Sequence, residues 1–159
     1  MTGSLKITTP SEREVAITRA FDAPRRLVFD ALTKPELIRR WLYGPEEWSM
    51  VVCEVDLRVG GSYRYVWRKA GVPEMGMGGV FREVVRPERL VSTEKFDQSW
   101  YPGEAVGTVV LVEQAGRTTM TTTMLYESKA ARDAVVASPM EEGLSAGYDR
   151  LERLLATTT

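Results

Sequence analysis

The sequence predicts an α+β domain in which a curved antiparallel sheet of about seven strands wraps around one long C-terminal helix. The prediction rests on strand-length segments that alternate large apolar residues with polar ones, on short connections rich in Gly and Pro, and on a strongly amphipathic stretch, Met140 to Leu155. A sheet curved about a single helix encloses a space, so function is expected to lie in what that space holds.

The elements follow in order. Glu14 to Phe21 sets Val15, Ile17 and Arg19 against Ala16 and Thr18 and reads as the first strand. Asp22-Ala23-Pro24 is expected to open a short helix, with Asp22 as N-cap, Pro24 in the first turn, and Leu27, Val28, Ala31 and Leu32 at helical spacing. Thr33-Lys34-Pro35-Glu36 reads as a capping box for a second short helix with Leu37, Ile38, Trp41 and Leu42 on its apolar face, stopped by Gly44-Pro45. From Trp48 the period changes to two. Trp48 to Leu57 is a strand, Gly60-Gly61 turns the chain, and Ser62 to Arg68 returns with Tyr63, Tyr65 and Trp67 on one face. Met77 to Val85 and Leu90 to Phe96 pair about Pro87-Glu88, and Ala105 to Glu113 and Thr118 to Tyr126 pair about Ala115-Gly116. Short connections make an antiparallel meander the expected topology. Ser128 to Val136 reads as a brief helix, and Ser138-Pro139-Met140-Glu141 as a capping box. Behind it Met140, Leu144, Tyr148, Leu151 and Leu155 form the stripe that faces the sheet, with Asp149 on the polar face. Residues 1–11 are expected to be a flexible start and 12–159 a single domain.

Composition narrows the function. The 159 residues, 43% of them hydrophobic, fit one core. Net charge is −1, and the pairs Arg25-Arg26 and Arg39-Arg40 are separated by apolar residues, so no basic stripe tracks a phosphate backbone and nucleic acid is not expected as a partner. Met1 to Arg13 lacks the apolar core of a secretory signal, and no apolar run approaches the roughly 18 residues of a membrane helix, which predicts a soluble cytoplasmic protein without a membrane partner. With no histidine and a single cysteine, Cys53, the usual zinc sets, His-based triads and an intramolecular disulfide are excluded. No metal or cofactor is expected, and a homodimer is left open.

A run of residues resembles a known superfamily. Ile17 through Arg19-Ala20-Phe21-Asp22-Ala23-Pro24, Val28-Phe29-Asp30-Ala31-Leu32-Thr33, Trp41 and Gly44-Pro45 is similar to the start of bacterial START-like proteins of the SRPBCC superfamily. Asp56-Leu57-Arg58-Val59-Gly60-Gly61, Pro87-Glu88-Arg89-Leu90-Val91, Met140-Glu141-Glu142-Gly143 and Tyr148-Asp149-Arg150-Leu151 extend the resemblance over about Val15 to Leu155. It points to the branch named for the domain of the heat-shock-protein-ninety ATPase activator. The resemblance implies a helix-grip fold with a cavity between sheet and helix. It leaves the ligand undefined, since the superfamily includes lipid carriers, hormone receptors and aromatase/cyclases.

The candidate binding site is aromatic. Trp41, Tyr43 and Trp48 are placed at the expected mouth, and Tyr63, Tyr65 and Trp67 on one strand face. Phe96, Trp100 and Tyr148 complete the set, with Met75 and Met77 as a soft neighbouring wall. Singly, each of these is ordinary core; together they exceed what one helix covers. Strand parity adds Glu94, which falls on the face of Leu90, Ser92 and Phe96 and is the expected desolvated carboxylate. With no histidine, a titration near neutrality requires such a group. On the Trp48 strand, either Met50, Val52, Glu54 and Asp56 face inward or Val51, Cys53, Val55 and Leu57 do, and the second face is cleaner. Gly76-Met77-Gly78-Gly79 lacks the Gly-Lys-Ser/Thr of a phosphate loop and reads as a turn entering a strand. These residues favour non-catalytic binding or carriage of a small hydrophobic or aromatic molecule. The alternatives are a chaperone-cofactor-like interaction domain, and a cyclase- or hydrolase-type enzyme using Glu, Asp, Arg and Tyr, for which no paired catalytic constellation stands out.

Overall fold

The structure, a computed structural model, describes residues 5–43 and 47–158. The elements are β1 (Lys6–Thr8), β2 (Glu14–Phe21), α1 (Arg25–Thr33), α2 (Pro35–Ile38), β3 (Ser49–Val55) and β4 (Ser62–Arg68), then β5 (Met75–Val85), β6 (Arg89–Phe96), β7 (Ala105–Gln114), β8 (Arg117–Leu125), α3 (Lys129–Val136) and α4 (Met140–Ala156). They build one antiparallel sheet in the order β1-β2-β8-β7-β6-β5-β4-β3. The strands β3 to β8 follow one another as the expected meander. The first long strand instead joins β8, because α1 and α2 carry the chain from one end of the sheet to the other. The eighth strand is β1, which falls in the segment read as a flexible start and pairs Ile7 with Ile17. The arrangement is the α+β helix-grip fold.

Local chemistry explains the elements and several departures from expectation. The β7–β8 turn uses Ala115 at φ 53° and Gly116 at φ 76°, a left-handed pair whose twist matches the flanking strands. Helix α1 starts at Arg25 with Pro24 as N-cap, and the cap is supplied from outside: the Arg25 N–H donates to the Glu113 carboxylate of β7 at 2.7 Å. Asp22 therefore does not cap it. Thr33 does not cap α2 either, because its hydroxyl donates back to the Phe29 carbonyl at 2.8 Å and closes α1. Ser138 behaves in the same way toward the Val135 carbonyl, so α4 begins at Met140 behind Pro139 without a side-chain cap. Helix α3 has a true cap, Ser128, accepting from the Ala131 N–H at 3.0 Å. The Gly44-Pro45 stop lies outside the described residues.

The glycine run of residues 76–79 lies inside β5 and not in a turn before it. Gly79 is required there, since a Cβ would overlap the Thr93 carbonyl of the neighbouring strand. On β3 the register puts Cys53 opposite Tyr65 and Val55 opposite Tyr63, so the apolar face turns inward while Glu54 and Asp56 are exposed. An irregularity between Met50 and Val52 breaks the parity: Met50, opposite Trp67, takes the inward place expected for Val51.

Helix α4 closes the concave face. Tyr148, Leu151, Leu154 and Leu155 join Val15, Phe21, Leu111 and Met120 in one buried cluster. One charge is buried with them. Arg19 of β2, 2% exposed, sets its guanidinium 3.1 Å from Asp149 and 3.9 Å from Glu152 of α4, and 5.2 Å from the Phe21 ring. Asp149, expected on the polar face, thus reaches back to tie helix to sheet.

Leu151 has no exposed surface, and Leu151→Ala should lower stability by about 2–5 kcal/mol through lost contacts and a residual cavity. Chemical denaturation measures this; a loss under about 0.5 kcal/mol, the scale of a surface change, would contradict the packing described.

Candidate functional site

The stripe on α4 is only half committed to the sheet. Toward the helix N-terminus, Met140 and Leu144 are partly buried and, with Gly143, Gly147 and Tyr148, form one wall of a cavity of about 670 Å³. This is within the range of small-molecule sites, roughly 300–1,000 Å³. Trp41, Leu42 and Tyr43, following α2, form a second wall, and the sheet contributes Trp67, Met75 and Phe96. Trp48, Trp100 and the Ser138-Pro139 turn complete the rim. None of these lining residues carries a charge. A smaller hollow of about 270 Å³ continues from it between Trp48, Met75, Phe96 and Trp100 toward Val72 and Gln98. A further groove of about 610 Å³ near Ile7 and Val136 presents Glu141 and Glu142 and lacks aromatic walls.

The walls are held rigidly. The Trp41 indole N–H donates to the Ala31 carbonyl at 2.9 Å, and the Trp67 indole N–H to the Leu42 carbonyl at 2.7 Å. With their polar handles satisfied, both indoles present apolar faces to the cavity. Arg150 of α4 donates to the Tyr43 carbonyl at 2.6 Å and to the Trp41 carbonyl at 3.2 Å, and its guanidinium lies 3.8 Å from the centre of the Tyr43 ring. Trp41 and Tyr148 stand 6.0 Å apart by ring centroids. Trp100 is 49% exposed and leans on Phe96, with ring centroids 5.0 Å apart.

Of the expected binding residues, seven line this cavity: Trp41, Tyr43, Trp48, Trp67, Phe96, Trp100 and Tyr148. Tyr63, Tyr65 and Met77 do not. They are buried farther along the concave face, where Tyr65 pairs with Met77 in register and Tyr63 stacks between Tyr65 and Phe81 at 5.0 and 5.5 Å.

Glu94 occupies that deeper region. The side chain keeps some open surface, yet burial alone pushes its carboxyl up to about 7. Parity with Leu90 and Phe96 puts Glu94 on the concave side. Among the described residues nothing donates a hydrogen bond to it or pairs with it as a cation. Five tyrosines stand within its electrostatic reach: Tyr63, Tyr65, Tyr101, Tyr126 and Tyr148. Each hydroxyl is held neutral, mainly by burial and further by the Glu94 charge, Tyr148 being pushed up to about 12. Tyr63 donates to the Thr93 carbonyl at 2.7 Å, whereas the buried Tyr101 hydroxyl has no partner among the described residues. Tyr101 and Tyr126, at 5.2 Å and perpendicular, are not among the expected site residues: Tyr101 lies in the loop after β6, where alternation says nothing, and Tyr126 reads only as the end of a strand. Burial also raises the Cys53 thiol, against a smaller lowering by Arg39, so Cys53 is an inert core residue. No cluster of three His, Cys, Asp or Glu side chains that holds a metal ion exists among the described residues.

The comparisons agree with this architecture. A family model described as activator of Hsp90 ATPase homolog 1-like protein matches residues 22–156. The chain belongs to this family. Among solved structures, a crystal structure of a protein from Rhodobacter sphaeroides is similar at 30% identity and TM-score 0.90, covering 97% of this chain and 99% of that one. A protein from Nitrosomonas europaea follows the fold at 27% identity and TM-score 0.80, over 95% and 100% of the two chains. An AHSA1-like protein from Aeromonas hydrophila, 20% identical with TM-score 0.72 over 92% and 96%, shares the fold. No curated protein matches the chain. No helix among the described residues of this Hsp90-ATPase-activator-like domain is long and apolar enough to cross a membrane.

Glu94 makes stability depend on pH. Its folded pKa is raised above the unfolded value, so the folded state holds the proton more tightly, and stability falls as pH rises from about 4.5 to about 7. The contribution is on the order of 3 kcal/mol, from 1.36 kcal/mol per pH unit. Glu94→Gln should remove it: urea melts of the two proteins should move in favour of the variant between pH 5 and pH 8. A constant difference across that range would show that Glu94 is solvated.

Proposed function

We propose that this protein is a cytoplasmic, non-catalytic binder or carrier of a small hydrophobic or aromatic molecule, held in the cavity between α4 and the sheet. The observation that carries the reading is the cavity itself. About 670 Å³ of space is walled by rings and methionines, and the indole N–H groups of Trp41 and Trp67 are already bonded to the backbone. Apolar walls of this size gain free energy by excluding water in favour of an apolar guest. The mouth, expected at Trp41, Tyr43 and Trp48, has its exposed apolar rim at Trp100 and Met75.

Native mass spectrometry on freshly purified protein, followed by a fluorescence titration with small aromatic guests, tests this. Binding should quench or shift the tryptophan emission saturably. Trp67→Ala should weaken it by roughly tenfold, the scale of one aromatic wall. Arg117→Ala, on the exposed β7–β8 hairpin, should leave it unchanged. Absence of any saturable change across a broad hydrophobic screen would end the carrier reading and move the family's namesake role, interaction with a chaperone ATPase, ahead of it.

A further inference from the structure

Glu94 differs from Arg19, a charge buried in this fold. Arg19 has Asp149 at 3.1 Å, whereas no cation among the described residues stands against Glu94. A desolvated carboxylate without a partner is costly, and one that keeps some open surface is available to a partner from outside the chain. The surrounding groups are those that suit a cation. The Glu94 charge reaches the hydroxyls of Tyr63 and Tyr65 on β4, Tyr101 in the loop after β6, Tyr126 at the end of β8 and Tyr148 on α4. All five are neutral rings, and the Tyr101 hydroxyl is buried and has no partner among the described residues. Aromatic faces attract a cation through their quadrupole, and a carboxylate adds a charge-assisted hydrogen bond to an ammonium. The Arg19 guanidinium, which acts on Tyr148 from β2, is already paired to α4.

Continuity with the cavity is structural. Phe96, two residues from Glu94 on the same strand face, lines it, and so does Tyr148. Two residues of the cavity wall thus border the part of the concave face that holds Glu94.

We propose that the guest is a cationic amphiphile, an aromatic or hydrophobic body bearing a protonated amine, whose ammonium group is received by Glu94. The assignment rests on the carrier reading above and narrows it to a ligand class. An anionic guest, such as a fatty or aryl carboxylate, would meet like charge at Glu94, and a neutral guest would leave that charge uncompensated.

The test uses three probes of similar shape on the full chain: naphthylethylamine, naphthylethanol and naphthylacetate. At pH 8 the amine should bind at least about tenfold more tightly than the alcohol, and the acetate most weakly. In Glu94→Gln the amine and alcohol should bind alike, with alcohol affinity retained. A second readout needs no variant. At pH 6 the free carboxyl is mostly protonated, so binding the ammonium should release most of one proton, visible in calorimetry as a heat that changes with buffer ionisation enthalpy. At pH 8 that release should be nearly absent. Equal affinities for amine and alcohol, or a preference that survives Glu94→Gln, would overturn the amine assignment while leaving the carrier reading intact. Binding of none of the three probes would overturn both.

Discussion

A single helix set against a curved eight-stranded sheet cannot cover it, and the rest of this structure follows from that mismatch. Eight strands spaced about 4.8 Å apart span roughly 34 Å, while a 17-residue helix is about 25 Å long and about 10 Å wide. The sheet narrows the gap by curling around the helix. The remainder is filled by large side chains where they meet, as with Phe21 and Tyr148 or Tyr63 and Phe81, and left open where they do not. The cavity is a consequence of the architecture; its aromatic lining belongs to this sequence.

Arg19 and Glu94 show how one interior treats opposite signs. Arg19 is surrounded by protein and neutralised by the helix it helps to dock, although its Nε and Nη2 still lack hydrogen bonds. The pair orients α4 on β2 at a place where apolar packing alone has little directional preference. Glu94 is left without such compensation, and its proton affinity rises instead. Family membership supplies the container, and these two residues distinguish structural from chemical use of charge within it.

Periodicity made most of this legible in the chain. Alternation placed β2, β4 and the meander strands to within a residue or two, and the spacing of Met140, Leu144, Tyr148, Leu151 and Leu155 located α4 and its buried face. Parity alone was enough to turn Glu94 inward. The sequence reading failed where geometry depends on distant partners. Glu113 caps α1 from another strand, so no local pattern around Asp22 reveals it. Thr33 and Ser138 occupy places suited to capping, yet bond backward to the helices they follow. The short β1 has too few residues to show a period, and the irregularity at Met50/Val52 shifts a face without any glycine to signal it. Tyr63, Tyr65 and Met77 are inward as expected, but depth along the concave face, which decides between core and cavity, is a tertiary quantity.

The hydrogen bonds of the two cavity indoles end on main-chain carbonyls, those of Ala31 and Leu42. A carbonyl acceptor is indifferent to the side chain on its own residue. A substitution at position 42, which lines the cavity, can therefore alter its volume and shape while the Trp67 ring stays anchored in the same orientation. Remodelling of the interior is uncoupled from maintenance of its frame, and a chain built this way can exchange one guest for another by stepwise side-chain replacement, with the backbone scaffold unchanged throughout.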